Sequence, residues 1–238
     1  MSDLMRFMGS DQQLMVERLL EDPRQAAEPG IRLHGNGFLQ LDLDRYTRFH
    51  IWGGSLPPAQ NVDTPIHDHT YSFRSFVLLG KLEHIVHTAV PGDRYRLHTA
   101  QPREGADTGL VPTSELVDLP PTSTTLIKAG GLYDFTAFLF HQSVNAAPIT
   151  ATLMVRGNSH PDRRPRIAVP SDLEPDNDFE RYQFPDEELW AVVDQAVSEI
   201  REAIAREARD LEEAVRLREV AERRRQERDA RRGVRRGR

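Results

Sequence analysis

Three histidines carry the chemistry that this sequence offers. His67 and His69 stand two apart in Pro65-Ile66-His67-Asp68-His69, ahead of an apolar run that ends at Gly80. Residues two apart on an extended strand share a face, so both imidazoles point one way and Asp68 the other. His141 closes the run from Thr136, with Asn145 four residues on. Neutral imidazole is the usual ligand for iron, zinc, copper and nickel, and three converging rings leave coordination positions open. His84 and His87, three apart, fall on opposite faces of the next predicted strand, so at most one looks inward. His84 is read as structural or as an outer partner of the site. His34, His50, His98 and His160 belong to no constellation. The chain has no cysteine, which excludes disulfides, thiolate ligands and cysteine nucleophiles.

Strands must hold those ligands, and the chain supplies them. Short β-branched and aromatic runs recur at 37–43, 46–52, 73–79, 82–88, 93–98, 114–118, 123–128, 136–141 and 149–155, with Gly and Pro pairs between them. The pattern predicts an all-β sandwich or barrel and nothing like βαβ. The polar stretch 100–112 reads as a hairpin tip or insertion. Gly35-Asn36-Gly37 is a turn signal, and Phe138, Leu139 and Phe140 read as core. Four regions follow: an N-terminal helical segment at 1–30, the β-domain at 31–157, a Pro- and Asp-rich linker at 158–185, and a helix with an Arg-rich tail at 186–238. Ser10 begins a capping box for the first helix. The last helix spaces Leu189, Val193, Ala196, Ile200, Ile204, Ala208, Leu211 and Val215 three or four apart. That narrow stripe suits docking on the β-domain or pairing with another subunit.

The spacing resembles that of the cupin superfamily. Its first motif runs HxH, then Glu, then Gly; its second runs G(x)5PxG(x)2H(x)3N. His67, His69 and Gly80 match the first, and Gly130, His141 and Asn145 the second, with Thr136 and Phe138 at the usual Pro and Gly places. Phe73 and Arg74 stand where the first motif's Glu would be, which leaves a three-His set. Among cupins this is similar to the thiol dioxygenase family, which includes cysteine dioxygenase. The likeness spans roughly 35–157 and is carried by Pro65 to Thr70, Ser72 and Leu79-Gly80-Lys81-Leu82-Glu83. Arg48-Phe49 and Ile51-Trp52-Gly53 resemble the strand that precedes the family's HDH segment.

The resemblance implies a cupin-type antiparallel β-barrel (jelly roll) with a short N-terminal and a long C-terminal helix. It also implies Fe(II) and a dioxygenase that adds O2 to a small cysteine-like thiol or related anionic metabolite. Zinc would fit the ligands without the redox chemistry. The family's Ser-His-Tyr relay is absent, because Thr152, Met154 and Arg156 occupy that rhythm. Tyr71, Arg74 and Arg156 become the candidates to pair with a substrate carboxylate or polarise oxygen. Arg32, displaced from the family's carboxylate-holding arginine, and Phe73 are candidate substrate contacts. On strand parity Tyr71 and Phe73 share the ligands' face, whereas Arg74 reaches it only through a bulge. The same residues also fit another three-His cupin reaction, or a small-molecule binding or sensor module.

Charge and hydropathy narrow the partners. The net charge is −6, yet residues 223–238 hold nine Arg against Glu227 and Asp229, so the tail carries +7 and the rest −13. An acidic body is not expected to bind nucleic acid, except non-specifically through that tail. The chain shows no membrane-length apolar run and no secretory start, so a cytoplasmic location is expected. The expected partners are a small-molecule substrate and O2, and the last helix allows a homodimer.

Overall fold

The computed structural model describes residues 3–27, 31–56, 65–103, 106–175 and 186–236. A 3-10 turn (Asp3–Met5) leads into helices α1 (Ser10–Glu21) and α2 (Pro23–Ala26). Strands β1 (Ile31–Leu33), β2 (Phe38–Asp42), β3 (Thr47–Gly53), β4 (Phe73–Leu79) and β5 (Lys81–His87) follow. Then come β6 (Val90–Arg103), β7 (Ala106–Asp118), β8 (Pro121–Lys128), β9 (Leu132–Phe135) and β10 (Phe140–Asn145). Strands β11 (Ile149–Arg156) and β12 (Arg166–Pro170) precede α3 (Asp186–Arg236).

The strands pair as a six-stranded sheet in the order β1-β2-β3-β11-β4-β9 and two three-stranded sheets, β10-β5-β8 and β12-β6-β7. Every strand pairing is antiparallel. The expected antiparallel all-β architecture with two flanking helical ends is present. The pairings among the described residues do not close into a ring, though bridges through His67 link β10 to β12.

Alternation decides what each face of the large sheet does. Leu39, Leu41, Phe49, Ile51, Ala151 and Leu153 join one buried cluster with Val16 and Leu19 of α1 and Leu189, Val193, Ala196 and Ile200 of α3. The helices thus cover the outer face. The intervening residues Phe38, Gln40, Arg48, His50, Trp52 and Met154 face inward and line a cavity. Tight turns fix this register. Gly80, between β4 and β5, has φ +74, and a Cβ there would lie 2.2 Å from the Ile149 carbonyl oxygen. Only glycine accepts both conditions.

Three local expectations change. Gly9, not Ser10, occupies the N-cap of α1, without a side-chain cap. Stretch 100–112 belongs to a hairpin, one of its two expected readings, with β6 running to Arg103 and β7 from Ala106; residues 104–105 lie outside the described residues. The run 136–141 is not one strand: Phe138 takes φ +67, Leu139 is exposed, and β10 begins at Phe140. Hydrogen bonds force that turn, with the Ala137 amide donating to Ser72 Oγ (3.0 Å) and the Phe138 amide to the His69 carbonyl (2.9 Å). Finally, the segment read as a linker contains β12, paired with β6; its stretch 176–185 lies outside the described residues.

Candidate metal centre

His67 is brought to His141 by backbone pairing. The His67 amide donates to the His141 carbonyl (3.0 Å) and the His141 amide donates back (2.8 Å). On the other side the Asp68 amide donates to the Arg166 carbonyl (2.9 Å) and the Ala168 amide to the Ile66 carbonyl (2.9 Å). The HDH segment is therefore laced between β10 and β12. Asp68 points away from the ligands, as parity requires, and is fully buried. Its carboxylate accepts from the Arg166 amide (2.6 Å) and Arg166 Nε (2.7 Å).

The three imidazoles converge. Their candidate ligand nitrogens all lie within 4.8 Å of one another. Ring centroids are separated by 4.8 Å (His67–His69), 4.6 Å (His67–His141) and 5.1 Å (His69–His141). Nitrogens about 2.1 Å from a shared metal, at angles of about 90–110°, set centroids roughly 4.5–5.3 Å apart. All three rings match that range. Burial lowers the pKa of each ring; His69 and His141 lie well below the ordinary imidazole value, with neighbouring histidines adding to the shift. All three are thus held in the neutral, ligating form. His67 Nδ1 lies 3.0 Å from the Pro65 carbonyl, which can only accept, so Nδ1 carries the proton and Nε2 keeps its lone pair. His141 is buried with neither ring nitrogen hydrogen-bonded. Those orphaned nitrogens and an all-imidazole donor set fit a borderline transition metal.

The rings open on a cavity of about 240 Å³, bounded by the inner face of the large sheet, β10 and the segment 65–71. Among the sequence candidates, Tyr71 and Phe73 line it beside the ligands. The Tyr71 hydroxyl accepts from Arg48 Nη1 (3.2 Å). Three candidates lie away from the cavity lining. Arg74 projects from the outer side of β4, where the pairing with β9 and β11 is in register, and forms an exposed two-bond pair with Asp134 (2.7 and 2.9 Å). Arg156 lies against the Tyr71 ring (5.1 Å), but its guanidinium is engaged by the Arg45 carbonyl and Ser159. Arg32 is held by Asp42. None of the three is among the cavity's lining residues.

Sequence reading missed other residues. Arg48, paired through Nε with Asp42 (3.1 Å), is the cavity's permanent cation. His50, two residues on, is buried with Nε2 unpartnered. Burial, then Arg48 and Arg32, lower its pKa to about 3. Parity with Trp52 on β3 was the available signal for both. Tyr133 also lines the cavity; burial raises its pKa, and its hydroxyl is hydrogen-bonded to Ser75 and Ser143. His84 looks inward as allowed, its ring 5.1 Å from His141 and 4.4 Å from Tyr133. His87 instead donates through Nδ1 to the Leu119 carbonyl (2.8 Å). Asn145 fixes the turn after β10, accepting from Thr150 Oγ1 (2.7 Å).

Fold and site together define an antiparallel β protein with a three-histidine cluster, one ring buried and two half-buried, that could hold a metal ion. No family model matches the chain, and neither does any curated protein. Among solved structures it is similar to the Drosophila melanogaster CENP-C cupin domain, at 8% identity and TM-score 0.32, covering 64% of this chain and 100% of that one. It is also similar to hydroquinone 1,2-dioxygenase from Sphingomonas sp. TTNP3 with 4-hydroxybenzoate bound, at 10% identity and TM-score 0.30, covering 59% and 73%. The neighbours thus include cupin domains and a dioxygenase, but at these TM-scores the likeness carries no functional weight. No helix among the described residues is long and apolar enough to cross a membrane.

Proposed function

We propose that the protein is an Fe(II)-dependent cupin dioxygenase that adds O2 to a small organic anion, a cysteine-like thiol or a related anionic metabolite. The observation that supports this is the convergence of three neutral imidazoles, His141 buried and His67 and His69 half-buried, on a cavity that also contains a fixed cation. His67, His69 and His141 would hold the metal, and bound Fe(II) would supply redox chemistry and a positive centre for an anionic ligand. For a thiolate the reaction balances without an external reductant: both oxygen atoms end on sulfur as a sulfinate, and O2 takes the four electrons.

The chain's own groups position and shield the substrate. Arg48 is steadied by Asp42 and by the Tyr71 hydroxyl, so its charge is oriented before substrate enters. Tyr71 and Phe73 pack on the His69 ring at the cavity wall, and the Tyr133 hydroxyl, set by two serines, offers a buried proton donor. The test is metal analysis and oxygen uptake. Iron is expected near one per chain and to vanish in His141→Ala, with O2 consumed only when an organic anion is present. A chain that binds no iron, or an iron-loaded chain that takes up no O2 with any thiol or other organic anion offered, overturns the reading.

A further inference from the structure

Among the described residues, the cavity lining contains no Asp or Glu, and Arg48 is its one permanent charge. An ammonium group buried there would meet no carboxylate on the lining, since Asp42 behind it is already engaged by Arg48, Arg32 and Gln40, and an unpaired buried charge is costly. The lining is also aromatic. Phe38 and Trp52 lie 5.1 Å apart, and both pack on His50, at 4.9 and 5.6 Å. Phe73, 5.5 Å from the His69 ring, continues the apolar wall up to the ligands.

Volume and hydrogen bonding agree with the lining. A dry cavity of about 150 Å³ is enough to bind benzene; this one, at about 240 Å³, has room for a ring and a polar substituent. His50 lines the same space with Nε2 buried and unpartnered. Leaving such an atom unsatisfied costs about 1–3 kcal/mol, which an occupant's oxygen would recover. Arg48 stands two residues away on the same strand face, so one anionic group can reach both.

We infer that the cavity takes a ring-bearing organic anion without a cationic group, an aromatic carboxylate in the simplest case. Its ring packs on Phe38 and Trp52, and its oxygens bind Arg48 and His50. This rests on the cavity being the substrate site of the proposed oxygenase, and it replaces the amino-acid thiol with an aromatic acid.

Calorimetry on the full-length protein, metal-free and then Zn(II)-loaded, with benzoate, acetate, L-cysteine and benzylammonium as probes, tests it. Benzoate is expected to bind at least tenfold more tightly than acetate or L-cysteine, and benzylammonium to give no binding heat. Benzoate should also quench Trp52, and the quench should vanish in Trp52→Phe. Arg48→Met should weaken benzoate at least tenfold; if that variant does not fold, Phe38→Leu should weaken benzoate while leaving acetate unchanged. The inference is overturned if benzoate binds in neither metal state, if acetate, L-cysteine or benzylammonium matches it, or if the substitution has no effect. Iron binding measured in parallel separates the two readings. A chain that takes iron but not benzoate defeats only this inference, and one that takes benzoate but no iron defeats only the oxygenase.

Discussion

His50 shows how one buried side chain ties the cavity to stability. Its folded pKa is about 3 against an ordinary 6.5. As pH falls, the unfolded chain therefore takes up the proton first. The contribution is fully present above about pH 7 and is lost as pH drops through 6.5 towards 3. At pH 5 the loss comes to about 2 kcal/mol. Denaturant unfolding of metal-free protein at pH 7 and pH 5 is expected to show it, with the difference about 2 kcal/mol smaller in His50→Gln. Asp68 supplies a second test. Asp68 is buried but Arg166 stays partly exposed, so Asp68→Ala, which removes a charge-assisted pair without leaving a buried bare charge, should destabilise the fold by about 1.5–3 kcal/mol. It should also weaken metal binding, since Asp68 anchors the peptide that carries both His67 and His69. A variant with unchanged unfolding and unchanged metal affinity would contradict this role.

At the level of strands and turns, Gly80 is the position most sensitive to a single added methyl group. Gly80→Ala would meet both the positive φ and the Ile149 carbonyl. The loss is expected to exceed about 2 kcal/mol, measured by thermal unfolding. The same scale explains what could be read in advance. Most strands and the parity of His67, Asp68 and His69 follow from alternation, which sequence displays directly. The polar residues of β3 were hidden by that same rule. Arg48 and His50 alternate with Phe49 and Ile51, and a polar face next to an apolar one looks like a strand facing water. Here the helices cover the apolar face and the cavity takes the polar one. Strand β12 was hidden for another reason. Its residues sit in a stretch rich in Pro and Arg, and pairing with β6 and Ile66, not local propensity, makes it extended.

Across the whole molecule, α3 divides into two parts. Its 51 residues span about 77 Å. From Leu189 to Ile204 it packs on the large sheet, whereas Leu211, Val215 and Leu217 are exposed. Deleting residues 206–238 should therefore leave the melting temperature within about 3 °C of the full chain and metal stoichiometry unchanged. Ile200→Asp, at the docked part, should unfold the protein or lower its melting temperature by more than 10 °C, which takes a loss of about 3–5 kcal/mol at this size.

The lacing of Ile66–Asp68 onto Arg166–Ala168 sets an order of events during synthesis. His141 emerges from the ribosome well before β12 does, so a nascent chain already owns all three imidazoles while the peptide bearing two of them still lacks its clasp. A chain halted before residue 166 would then hold all three imidazoles while Ile66–Asp68 lacked the pairing that fixes it.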